Sequence, residues 1–233
     1  MTIIGFDTSL PVTAACVLHS DGRAFATPPP SPERLLGRPQ HSSELLPVLA
    51  ELLEEAGVDW GEVRALAVGV GPGTFTGLRI GVATARGLAR GLGIGVSPVS
   101  SLAALAAGLT EAAGGRPLLP LIDARRRQVF ASLYDGPGEP AWGPLALDPE
   151  DLFARLADLD PAPLAAGDWA LESRTDLEAA GAIVPPADSG LHAVNALHVC
   201  RLAEAIEPLP PERVMPIYVR LPDAEINRDA GTG

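Results

Sequence analysis

The sequence predicts an α/β protein built from two related halves, and three observations predict it. Short apolar runs alternate with longer segments of helical periodicity. A strand, an aspartate, a polar turn, a returning strand and an Asp-Gly pair occur around Asp7 and again around Asp123. The two aspartates are 116 positions apart in a chain of 233 residues, an offset of half the chain that reads as tandem duplication of one unit.

The elements follow in order. Ile3 to Phe6 forms a strand ending in Asp7-Thr8-Ser9, and Leu10-Pro11 turns the chain into a second strand, Thr13 to Leu18. Thr27 to Pro39, with Pro28, Pro29 and Pro30 in a row, is an irregular loop. A helix over Ser43 to Ala56, a strand over Ala65 to Val70, a glycine-rich turn, a helix over Thr76 to Leu92, a strand over Gly95 to Val99 and a helix over Ser101 to Ala113 complete the first half. In the second, Leu118 to Ile122 and Val129 to Tyr134 flank Asp123 and the turn Arg125-Arg126-Arg127. A helix over Pro149 to Leu159, a strand over Pro163 to Ala166 and a helix over Ala193 to Ile206 follow. We divide the chain into residues 1–106 and 107–233, with the last helix free to pack back on the first lobe.

Composition narrows the function. Hydrophobic residues make up 47% of the chain and charged residues 20%, enough apolar material for a buried core. The net charge of −12 argues against a general nucleic-acid binder, which needs a concentrated positive surface. All 17 basic residues are Arg and none is Lys, which removes the phosphate-loop lysine and Schiff-base chemistry. Cys16 and Cys200 stand alone in apolar stretches and read as small core residues. The N-terminus lacks a basic leader and no apolar run approaches a membrane span, so a cytoplasmic protein is expected.

Three segments could carry function. Helix Ser43 to Ala56 has Leu45, Leu46, Val48, Leu49, Leu52, Leu53 and Ala56 spread over a sector of about 160°, wider than one sheet contact needs. The run Gly71-Pro72-Gly73-Thr74-Phe75-Thr76-Gly77-Leu78-Arg79-Ile80-Gly81 joins a strand to a helix N-terminus. Its free N–H groups could hold an anion, although a turn capped by Thr74 or Thr76 explains the same residues. The helix it opens carries Gly77, Gly81, Gly87 and Gly91, each costing about 1 kcal/mol against Ala. Close backbone approach along two rows, Gly77-Gly81-Ala85 and Ala83-Gly87-Gly91, would offset this, and a tight helix–helix contact is expected. Arg79, Arg86 and Arg90 share a line on this helix and would pair with Glu51, Glu54 or Glu55, or with a partner's carboxylates. His19, His41, His192 and His198 have no metal-binding spacing. Asp7 and Asp123 could flank a metal nucleotide, yet Asp7-Thr8-Ser9-Leu10-Pro11 lacks the glycine a phosphate turn wants.

At these residues the sequence resembles the TsaB (YeaZ) family of tRNA threonylcarbamoyladenosine biosynthesis subunits. The motifs are Ile4-Gly5-Phe6-Asp7-Thr8-Ser9, His41-Ser42-Ser43-Glu44-Leu45-Leu46-Pro47, the glycine run of residues 71–81, and Pro216-Ile217-Tyr218-Val219-Arg220. The resemblance implies an actin-like (ASKHA) fold of two RNase H-like lobes, the second degenerate. It implies a non-catalytic subunit that binds the catalytic relative TsaD, with the ATPase TsaE joining the assembly, ATP and metal held by the partners, no cofactor of its own, and tRNA reached only through the complex. It implies a homodimer when alone, and no membrane partner. Partner contacts are then expected at His41, Leu45, Leu46, Leu49, Leu52, Leu53, Gly77, Leu78, Arg79, Gly81 and Ala85. A vestigial nucleotide site is expected at Asp7, Thr8, Ser9 and Asp123. An ATP-dependent phosphotransferase of the same fold, using Asp7 and Asp123, is the rival.

Overall fold

The computed structural model describes residues 1–136 and 138–220; the end of the second expected domain, 221–233, lies outside the described residues. Strand β1 (Thr2–Asp7) pairs antiparallel with β2 (Ala14–Leu18), and β2 with β3 (Ala24–Ala26). A one-turn helix α1 (Pro32–Leu35) interrupts the proline-rich loop, started by Ser31, whose side chain accepts from the Arg34 N–H. Helix α2 (His41–Ala56) begins two residues before the expected start. Next come β4 (Val63–Gly71), α3 (Phe75–Leu92), β5 (Val96–Ser100) and α4 (Ser101–Ala113). The five strands form one sheet of order β3-β2-β1-β4-β5.

The second lobe repeats the plan. Strands β6 (Leu118–Arg125), β7 (Gln128–Leu133) and β8 (Trp142–Leu147) are antiparallel neighbours, helix α5 (Pro149–Leu156) follows, and β9 (Leu164–Ala166) pairs parallel with β6. The order β8-β7-β6-β9 matches β3-β2-β1-β4 strand for strand. A single parallel bridge between Leu164 and Ile183 stands where β5 would be. Short helices α6 (Asp168–Glu172) and α7 (Arg174–Ala179) occupy the place of α3, and α8 (Ala196–Ala203) ends the helical part. The chain thus has the mixed α/β, two-sheet architecture of an actin-like fold, with a shortened second lobe.

Strand β8 and helices α6 and α7 fall where the sequence pattern is least legible. Gly143-Pro144 sits in the middle of β8 and breaks its period, a substitution tolerated because β8 is an edge strand.

Alternation along β1 sorts the core. Ile4 and Phe6 face α2 and α3, whose Leu45, Leu49, Leu52, Leu53, Val82, Ala85 and Ala89 close that side. Ile3 and Gly5 face the other way, toward α8: an added Cβ on Gly5 would lie 2.6 Å from Cys200 Sγ. Helix α4 is shared. Its Leu102 and Leu105 join the cluster around Ile3, Cys16 and Cys200, which also takes in Ile122 and Phe130, while Ala106, Leu109 and Ala113 pack with Leu118, Tyr134 and Leu164. A boundary at residue 106 therefore falls within a helix that serves both lobes. Among the described residues no helix is long and apolar enough to cross a membrane.

Candidate functional site

The Asp7-Thr8-Ser9 turn is buried, at 1%, 0% and 0% exposure. Asp7 Oδ1 accepts from the Ser9 N–H at 2.7 Å and from Ser9 Oγ at 2.5 Å, and Oδ2 accepts from Ser101 Oγ at 2.6 Å. Ser101 Oγ in turn accepts from the Gly71 N–H at 3.2 Å. Both carboxylate oxygens are therefore engaged inside the protein. Thr8 Oγ1 donates to the Gly77 carbonyl at 2.8 Å.

Those bonds explain half of the glycine pattern on α3. A Cβ on Gly77 would collide with the Thr8 carbonyl, and one on Gly81 with Thr8 Oγ1. The close approach is of a helix to the β1–β2 turn, not of helix to helix as the sequence suggested. Gly73 is held just as tightly against Ser9, and Thr74 N donates to the Ser9 carbonyl at 2.8 Å. Thr74 occupies the N-cap position of α3 without a side-chain cap bond, and its Oγ1 is buried with no partner. The capping role expected of it is not seen. The packing of neighbouring turns starts the helix instead.

Asp123, the counterpart of Asp7, differs in its partners. Its Oδ1 accepts from the Arg125 N–H at 2.7 Å and its Oδ2 pairs with Arg125 Nη1 at 2.8 Å. Its own N–H donates to Asp168 Oδ1 at 2.9 Å, and Trp169 N donates to the same oxygen at 2.9 Å. Burial pushes the Asp168 carboxyl up to about 7, aided by the nearby Asp123 charge and opposed by the two backbone donors. Sequence reasoning missed Asp168 and Ser101. The signal available was their place at a helix start directly after a strand.

The donor set does not fit a metal nucleotide between the lobes. Asp7 would have to release three hydrogen bonds, Asp123 would have to leave Arg125, and no glycine opens the Asp7 turn to a phosphate. Among the described residues no group of three or more His, Cys, Asp and Glu is placed to hold a metal ion.

A cleft of about 400 Å³ does separate the lobes, beside rather than over Asp7. Gly73, Thr74 and Phe75 line one wall, Asp123 to Arg126 and Phe130 the other, and Ile217 to Arg220 run along it. This last stretch is a strap joining the lobes: Ile217 N donates to the Val70 carbonyl at 2.8 Å, and Arg220 Nη1 donates to Gln128 Oε1 at 2.9 Å.

The strap also meets α3. Arg79 Cζ lies 3.7 Å from the Phe75 ring centroid, Arg79 Nε donates to Tyr218 Oη at 3.1 Å, and the Phe75 and Tyr218 rings are 5.4 Å apart. Arg86 Nη1 reaches Met215 Sδ at 3.9 Å. No ion pair joins Arg79, Arg86 or Arg90 to Glu51, Glu54 or Glu55, so the arginine line of α3 leans on the strap and on solvent instead of on α2.

Of the partner contacts expected from the sequence, most lie inside the lobe. Leu45, Leu49, Leu52 and Leu53 are buried against the sheet, Leu78, Gly77, Gly81 and Ala85 are buried against the strands and the Asp7 turn, and His41 is 2% exposed with Nδ1 on Thr13 Oγ1 at 2.8 Å. The broad leucine sector of α2 is filled by its own sheet. The residues that α2 and α3 offer to solvent include Leu46, at 53% exposure, and the acidic Glu51, Glu54 and Glu55 on α2, and Phe75, Arg79, Ala83, Gly87, Arg90 and Gly91 on α3. Among the described residues nothing lies within 4 Å of a Cβ placed on Gly87 or Gly91. The second small-residue row, Ala83-Gly87-Gly91, is thus open.

Comparison with known proteins matches the geometry to a family. Residues 36–206 match the family model described as TsaD: tRNA N6-adenosine threonylcarbamoyltransferase. The chain is 32% identical over 175 residues to the Escherichia coli tRNA threonylcarbamoyladenosine biosynthesis protein TsaB, covering 72% of this chain and 69% of that protein. It is 33% identical over 132 residues to the Haemophilus influenzae protein of the same description, 57% of this chain and 53% of that one, so the match spans about half the length of that relative. A solved structure, YeaZ from Pseudomonas aeruginosa, superposes with a TM-score of 0.74 at 30% identity, covering 93% of this chain and 99% of that one.

Proposed function

The chain belongs to the TsaB (YeaZ) family of tRNA threonylcarbamoyladenosine biosynthesis proteins, and from that membership we propose that it is a non-catalytic subunit that docks on a TsaD-type catalytic protein through the exposed edge of α2 and α3.

The observation that carries this reading is the open row Ala83-Gly87-Gly91. Glycine in an exposed helix interior lowers helix stability by about 1 kcal/mol relative to alanine, and here no contact among the described residues requires it. A second backbone brought close to α3 offsets that loss. Leu46 and Phe75 are exposed apolar side chains on the same two helices, while Arg79 and Arg90 supply guanidinium donors for the carboxylates of a partner. A homologous catalytic subunit and a second copy of this chain are both suited to the same face, so a homodimer forms alone and gives way to the heterodimer. ATP and metal belong to the partners, among them a TsaE-type ATPase, and no cofactor is bound here. The closed hydrogen bonding of Asp7 supports this over a phosphotransferase.

Light scattering on the chain mixed with a purified TsaD-type protein tests the proposal. A one-to-one complex at micromolar concentration is expected, and Gly87→Leu should prevent it. A mixture that stays as separate species rejects the docking reading. Stoichiometric binding of ATP and magnesium by the chain alone, lost in Asp7→Ala, would favour the phosphotransferase.

A further inference from the structure

Helices α2 and α3 lie side by side and run the same way. Strand β1 is antiparallel to β2 and β2 to β3, while β4 is parallel to β1 and β5 to β4, so the helices linking β3 to β4 and β4 to β5 return in one direction. Both pack on the Ile4 and Phe6 face of the sheet. Their first turns are tied to the same β1–β2 turn, α2 through His41 Nδ1 and Thr13 Oγ1, α3 through Thr74 N and the Ser9 carbonyl. The two helices therefore start at about the same level.

Each carries a charged row on its outer flank. On α2, Glu44, Glu51 and Glu55 fall on one line of the helix. Glu44 reaches Arg34 of α1, the segment arriving from edge strand β3, which puts this line on the flank away from α3. On α3, Arg86 and Arg90 share the flank that meets Met215, on the segment running past β5 at the opposite edge of the sheet. Among the described residues no ion pair or hydrogen bond engages the side chains of Glu51, Glu55 or Arg90, and Arg86 touches the Met215 sulfur at 3.9 Å. At about 1.5 Å per residue from each helix start, Glu51 and Glu55 stand at about 15 and 21 Å and Arg86 and Arg90 at about 16.5 and 22.5 Å. The rows match in height and are opposite in sign.

We propose that this face joins two copies of the chain about a two-fold axis along the helices, each copy's Glu51 and Glu55 meeting the other's Arg86 and Arg90. Such an axis lays α2 of one copy on α3 of the other with heights kept, so opposite charges meet at both flanks. A two-fold across the helices stacks α2 on α2 and α3 on α3, and like charges then oppose. Each of these arginines directly precedes a glycine of the open row, Gly87 and Gly91, so close approach along that row carries both guanidiniums to the edge of the facing helix. A second copy is the occupant because it brings carboxylates at the spacing and height the arginines present. The inference rests on the docking use of the α2–α3 face and deepens it by fixing the register of the homodimer.

Sedimentation velocity on the intact chain tests it with two charge-reversed variants, one carrying Arg86→Glu and Arg90→Glu, the other Glu51→Arg and Glu55→Arg. The parent is expected to dimerise at micromolar concentration, and less so at high salt. Each variant alone should dimerise about tenfold more weakly or worse, because like charges face each other at both flanks. Mixing the two variants should restore association to within about threefold of the parent, since the heterodimer regains opposite charges on both sides. Arg116→Glu, on the second lobe, should change nothing. A monomeric parent, variants that dimerise like the parent, or weakened variants that stay apart on mixing would each overturn the proposal. Where thermal melting shows a reversal to unfold the chain, glutamine at the same sites replaces it, and a salt dependence no flatter than the parent's overturns the pairing. Runs with a purified TsaD-type protein read the docking separately: that complex without any pairing effect leaves the docking reading standing and rejects this one, and absence of both complexes rejects both.

Discussion

Ser101 Oγ donates to Asp7 Oδ2 at 2.6 Å, joining the end of the first strand to the start of α4 across 94 positions of sequence. Both carboxylate oxygens of this aspartate are taken by donors of the protein itself. Asp7→Ala leaves the Ser9 and Ser101 donors unsatisfied in a buried site and should lower stability by about 2–4 kcal/mol. Urea denaturation measures it, and an unchanged midpoint would contradict the structural role.

Leu45 and Leu46 are neighbours in sequence with opposite surroundings, 1% and 53% exposed. Leu46→Asp should change stability by no more than about 0.5 kcal/mol while weakening subunit association. Leu45→Asp should destabilise by more than about 4 kcal/mol, because it buries a charge. Thermal melting together with light scattering separates the two effects.

The glycines of α3 should divide into two classes. Gly77→Ala meets the Thr8 carbonyl and should cost about 3 kcal/mol through overpacking. Gly87→Ala meets open space and should raise the stability of the monomer by about 1 kcal/mol. Equal effects in chemical denaturation would refute the assignment of the two rows.

Asp168 predicts a pH dependence. Its folded pKa of about 7 lies well above the ordinary aspartate value of about 3.9. Between these values the folded state binds the extra proton, so this group's contribution is greatest below about pH 4 and is lost as pH rises through 7. The loss is of the order of a few kcal/mol. Asp168→Asn keeps an acceptor for Asp123 N and Trp169 N and should be more stable than the parent at pH 8 with no such slope, as followed by urea midpoints from pH 5 to 8.

The arginine turn should be stabilised by the residue it lacks. Arg127→Gly relieves a left-handed conformation and should add about 1 kcal/mol, read as a higher melting temperature.

The sequence carried the fold better than the surface. Periodicity found α4 to the residue and α3 to within one, because both have long apolar stripes and flanking breakers. The duplication was visible through Asp7 and Asp123, and the strand orders of the two sheets agree with it. Burial of Leu45, Leu49, Leu52 and Leu53 was not visible, since periodicity gives the width of an apolar face but not the width of the sheet beneath it. The partner of Gly77 was misjudged for a related reason: a glycine signals close approach without naming what approaches. Asp168, Ser101 and the strap contacts of Tyr218 and Arg220 depend on pairings far apart in the chain, which local patterns do not encode.

Cys200 sits on α8 against Gly5 in the first strand, and Val199 joins the same cluster. During synthesis the first lobe must therefore wait with one flank uncovered until nearly two hundred residues have left the ribosome. A nascent chain halted after residue 113 would display that flank, and its chaperone dependence should end only when the segment around residue 200 emerges.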